Sequence, residues 1–109
     1  MAVNEQQVQF IQDQLTDFGE VDVKKMFGGA GFYKDGTMFG MLAGETFRMR
    51  VDEQNQNDYE KAGMSQYFNK GKKKGMPYWE VPADVLEDRS ALKTWAQKAF
   101  DAAQRNSKS

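Results

Sequence analysis

The sequence predicts an α+β fold: a two-layer α/β sandwich with an antiparallel sheet, in the order α-β-β-β-α-β-β-α. Three observations carry this. Between Met26 and Val51, three apolar runs are separated by the turn pairs Asp35-Gly36 and Gly44-Glu45. Asp-Gly tolerates the positive φ angles of a tight hairpin, and a glycine at the first turn position does the same. The third run alternates: Phe47, Met49 and Val51 point one way, Arg48 and Arg50 the other. That is the period of a strand with one buried face. Finally, both ends of the chain carry amphipathic stripes that can seal the apolar side of such a sheet.

Taken in order, residues 4 to 18 read as the first helix. Val8, Ile11, Leu15 and Phe18 recur at spacings of three and four. Asn4 suits the N-cap with Gln7 three residues on, Val3 and Val8 suit a hydrophobic staple, and Gly19 suits the C-terminal stop. Val21 to Phe27 leads into the meander. The glycines Gly28, Gly29 and Gly31 resemble a nucleotide-binding loop only superficially. No helix follows them and no Gly-Lys-Ser/Thr is present, so they are read as allowing a bulge or a sharp bend in the sheet.

Asp52 to Ala62 is predicted as a polar helix capped by Asp52 and ended by Gly63, touching the sheet through Tyr59. Gln66 to Phe68 and Met76 to Val81 read as two short strands, with Pro77 confining the second to an edge or a strand start. Pro82 to Glu87 suits a single helical turn. The last helix starts near Ser90, with Leu92, Trp95, Ala96, Ala99, Phe100 and Ala103 on one face. Residues 105–109 read as a disordered polar tail, and residues 1–109 as one domain. Most of the six internal methionines fall on sheet positions, where core filling is their expected role.

Composition narrows the function. The 109 residues are 39% hydrophobic and 28% charged, which suits a globular core. There is no cysteine and no histidine. Thiolate nucleophiles, Cys-based metal sites and His-dependent acid–base or triad chemistry are therefore excluded. No apolar run approaches the ~20 residues of a membrane span, and the polar N-terminus does not read as a signal peptide. A cytoplasmic, non-enzymatic protein without cofactor or metal is expected.

Two basic clusters are the candidate contact sites. Between Lys61 and Trp79 there are five lysines and no acid. Four of them, Lys70, Lys72, Lys73 and Lys74, are flanked by Tyr67, Phe68, Tyr78 and Trp79. Lysines beside aromatics are the ingredients of phosphate contact with base stacking, but a solvated hairpin tip, kept soluble by its lysines, is the favoured reading. Arg48 and Arg50 form the second cluster, able to hold an anion or an acidic partner or simply to face solvent. Lys24 and Lys25 extend one patch or another according to register. The net charge of −1 gives no overall attraction to nucleic acid.

The segments Val23-Lys24-Lys25-Met26-Phe27-Gly28-Gly29, Gly31-Phe32-Tyr33, Asp35-Gly36 and Met38-Phe39-Gly40 resemble the N-terminal domain of the TfoX/Sxy competence regulators. Met76-Pro77-Tyr78-Trp79-Glu80-Val81-Pro82 and the helix with Trp95 are similar to that domain too. The resemblance spans Phe18 to Ala102. It implies the same α-β-β-β-α-β-β-α order and a secretion-chaperone-like architecture, in which homodimers are common. It also implies a role in competence-gene expression through a protein partner, the transcription machinery or a cyclic-AMP-responsive activator. Full-length members carry a second, C-terminal domain that these residues do not include. The resemblance brings no catalytic residues. Direct nucleic-acid binding through Lys70–Lys74 is the alternative.

Overall fold

A computed structural model of the chain describes residues 5–26, 29–64 and 77–107. It shows helices packed on one side of a five-stranded antiparallel sheet, the α+β fold expected. The elements are α1 (Glu5–Gln14), β1 (Asp22–Met26), β2 (Gly29–Lys34), β3 (Thr37–Ala43), β4 (Thr46–Arg50), α2 (Gln56–Lys61), β5 (Tyr78–Glu80), α3 (Ala83–Leu86) and α4 (Arg89–Ser107). The strands follow one another across the sheet in chain order.

The two hairpin turns form where the sequence places them. Asp35 and Gly36 take φ of 50° and 80°, and Gly44 takes 61°. Positive φ matches the turn to the right-handed twist of its flanking strands. The segment expected to lead into the meander contains a strand of its own, β1, paired along its length with β2. The bulge lies elsewhere than at the glycine cluster. It interrupts the β2–β3 register, where Phe32 faces Gly40 but Tyr33 faces Met38, so Phe39 is the extra residue. Gly29 has a different function: a Cβ there would stand 2.0 Å from the Leu42 carbonyl oxygen. Only hydrogen fits that approach of two backbones.

The core lies on one face. Ala30, Phe32, Phe39, Leu42, Phe47 and Met49 of the sheet meet Val8, Ile11 and Leu15 from α1 and its following turn, and Leu92, Ala96 and Ala99 from α4. The bulge turns Phe39 inward, edge-on to Phe18 at 5.2 Å. The α-helix ends at Gln14, but turn hydrogen bonds continue to Gly19 and keep Leu15 and Phe18 buried. The expected cap and staple at Val3 and Asn4 lie outside the described residues, as does the strand at 66–68. Pro77 directly precedes edge strand β5, and its carbonyl accepts from the Val51 N–H.

Helix α2 starts later than Asp52 would have it. The residue just before its first turn is Asn55, which is buried; the Asn55 side chain accepts from the Asp52 N–H at 2.8 Å and donates to the Arg50 carbonyl at 3.1 Å. Asp52 holds the turn that leads into α2, its Oδ1 accepting from the Gln54 N–H at 2.9 Å, and also reaches α4. Arg105 donates Nε to its Oδ2 at 2.7 Å and Nη2 to its Oδ1 at 2.9 Å. This clamp corrects the expected tail: Arg105 and Asn106 are helical because α4 runs to Ser107. Asp88 caps the start of α4, accepting from the N–H groups of Ser90 and Ala91.

Candidate functional site

Alternation along five paired strands sorts their side chains onto two faces. Phe47 and Met49 point to the helices, so Thr46, Arg48 and Arg50 point away. Cross-strand register carries that assignment over the sheet. Arg48 faces Met41 on one side and Glu80 on the other, and Arg50 faces Tyr78. Across β2, Gly31 is opposite Met41, and Tyr33 is opposite Met38 and Asp22. Lys24, opposite Gly31, joins them.

Among the described residues this second face carries no helix. It has cations on aromatics. The Lys24 ammonium stands 4.9 Å from the centre of the Tyr33 ring, and the Arg50 guanidinium carbon 5.9 Å from the centre of the Tyr78 ring. Such contacts are worth about 0.5–1 kcal/mol where exposed and more where desolvated. Arg48, Arg50, Tyr33, Met38 and Met41 are half-buried and Tyr78 is buried. Burial pushes the Tyr78 phenol up from its ordinary value, against the opposing charge and hydrogen bond of Arg50. Arg50 Nε is closed off from solvent and has no hydrogen-bond partner.

Lys25, the neighbour of Lys24, takes the other face and pairs with Glu5 of α1. Register separates these two lysines, and the sequence left that choice open. Two of the methionines expected in the core, Met38 and Met41, lie instead on the helix-free face, while Met49 is fully buried. The bulge at Phe39 sets this arrangement for Met38. The lysines Lys70, Lys72, Lys73 and Lys74 lie outside the described residues.

A depression of about 140 Å³ lies on the opposite side of the molecule, lined by Gln54, Asn55, Lys98, Asp101 and Arg105. Its cations are committed: Lys98 bonds Asp58 at 2.9 Å and Arg105 bonds Asp52. That pairing holds the Asp52 carboxyl below its ordinary value, the Arg105 hydrogen bond being the largest cause. Tyr59, packed 4.7 Å from Trp95 and 6.2 Å from Trp79, has its hydroxyl buried without a partner. Burial raises its phenol well above the usual range, with the Asp58 charge adding to the effect. Among the described residues, no cluster of three acids is placed to hold a metal ion.

A model of the TfoX N-terminal domain family matches residues 13–103. The chain belongs to that family. No curated protein matches it. The TfoX N-terminal domain family is not a known enzyme family. No described helix of this TfoX N-terminal domain is long and apolar enough to cross a membrane.

The sequence named Arg48 and Arg50 as neighbours on one face, and the structure puts them there. Tyr33 and Tyr78 were missed as members of the same surface. Their only sequence signal was strand alternation, and that becomes informative once the register across β2–β5 is known.

Proposed function

We propose that this TfoX N-terminal domain is a regulatory module of competence or related gene expression. It works by protein contact rather than catalysis, and Arg48, Arg50, Lys24, Tyr33 and Tyr78 form its contact surface. Family membership supports the regulatory role. The observation that carries the contact reading is the helix-free face, with guanidinium groups and the Tyr33 ring on a paired sheet. Arg and Tyr are the residue types that dominate binding energy at protein interfaces, because they combine large contact area with directional hydrogen bonds. Absence of histidine and cysteine from the whole chain removes the commonest catalytic side chains.

The test is affinity capture from native cells with the wild-type chain and with a chain carrying Arg48→Glu and Arg50→Glu. A component of the transcription machinery recovered by the first and lost with the second is the expected result. Recovery of no transcription component by the wild type overturns the reading.

A further inference from the structure

We infer that the helix-free face takes an extended acidic peptide with carboxylates at alternate residues, anchored by Arg50. This deepens the protein-contact reading and rests on it. Arg48 and Arg50 are two residues apart on β4 and share a face. Two residues of extended chain span about 6.8 Å. The same repeat separates alternate side chains of any extended peptide laid along the strand, so a Glu-x-Glu segment keeps step with positions 48 and 50.

The charge on Arg50 supplies the driving force. The side chain is half-buried, and its Nε is shut off from water without a hydrogen-bond partner. Among the described residues no ion pair engages Arg50; the ring and hydroxyl of Tyr78 meet it instead. A partly desolvated guanidinium without a counter-charge is unfavourable, and an incoming carboxylate relieves it with strong charge-assisted hydrogen bonds. Tyr33 and Met41, both half-buried, offer apolar surface to the intervening side chains.

A nucleic-acid strand fits this face less well. Asp22 and Glu80 are exposed and share it, opposite Tyr33 and Arg48. Fixed acids repel a continuous phosphate backbone, whereas a peptide with separate carboxylates can pass between them.

The experiment is fluorescence anisotropy at low salt with the full chain and three labelled probes: a Glu-Ala repeat peptide, a Lys-Ala repeat peptide and a single-stranded oligonucleotide. The Glu-Ala peptide should bind, more weakly as salt rises. Arg50→Gln should weaken it about tenfold, the scale of one lost charge-assisted contact. Lys93→Gln, at an exposed site on α4, should leave affinity unchanged. Circular dichroism checks that each variant is folded. If Arg50→Gln does not fold, amide shifts of the wild type on adding the peptide replace it, and they should concentrate in β4 and β5.

The inference is overturned if the folded wild type does not bind the Glu-Ala peptide or binds the Lys-Ala peptide equally. It also falls if folded Arg50→Gln keeps full affinity, if the shifts fall on the helices, or if the oligonucleotide alone binds. Should the peptide fail while capture still recovers a transcription component, only the acidic-peptide inference falls.

Discussion

Replacing Tyr59 with phenylalanine should make the protein more stable. The Tyr59 residue is 1% exposed, and its hydroxyl has no hydrogen-bond partner. A buried, unsatisfied polar group costs about 1–3 kcal/mol. Removing the oxygen leaves a small void that offsets part of the gain, so a net stabilisation of about 1 kcal/mol is expected. The ring contacts with Trp95 and Trp79 survive in Tyr59→Phe. Tyr59→Ala removes them and should cost about 3–5 kcal/mol. The assay is urea unfolding, with a higher midpoint at unchanged slope for Tyr59→Phe.

Alkaline pH gives an independent reading of the same group. Burial raises the folded-state phenol above its unfolded value, so the folded protein keeps a proton that the unfolded chain loses near pH 10. The stability from this group is complete below that pH and declines as pH rises. The advantage of Tyr59→Phe over wild type should therefore widen above pH 10. Tyr78 is present in both proteins and cancels from the difference. A Tyr59→Phe chain less stable than wild type by about 1 kcal/mol or more would refute the reasoning by showing that the hydroxyl is satisfied. A difference flat with pH would refute it by showing that the phenol ionises as readily folded as unfolded.

The Asp52–Arg105 clamp should weaken in acid. The Asp52 carboxyl is held below its ordinary value, so its contribution is present above about pH 4 and lost as pH falls through the folded value. Because Arg105 is 36% exposed, Asp52→Asn should cost only about 0.5–1 kcal/mol at pH 7, and less in high salt. A double-mutant cycle with Arg105→Ala checks the coupling. Gly29→Ala drives a methyl into the Leu42 carbonyl and should cost about 2–3 kcal/mol or more in urea unfolding. Asn55→Ala removes the links to Asp52 and Arg50 and should cost about 2 kcal/mol, with faster hydrogen exchange at the Asp52 amide.

Legibility varied along the chain for physical reasons. The hairpin turns and the alternation at Phe47–Val51 depend on neighbouring residues alone, so they could be read directly. The stripe from Leu92 to Ala103 is local in the same way. The start of α2 was misplaced because Asp52 is a good cap in isolation. In the folded chain the regular helix begins only after Asn55, and the Asp52 carboxylate holds the turn at Gln54 and is shared with Arg105, 53 positions away. That same contact keeps the last turn of α4 helical where polar composition suggested a tail.

The sequence by itself determined the fold class, the position of the turns and the inward set of β4, because backbone sterics and hydrophobic periodicity act over a few residues. Tertiary structure alone decided which lysine joins Arg48 and Arg50, which methionines leave the core and which tyrosines flank the arginines. Those choices follow from cross-strand register and the Phe39 bulge, and a one-residue change in pairing would send each of these side chains to the opposite face.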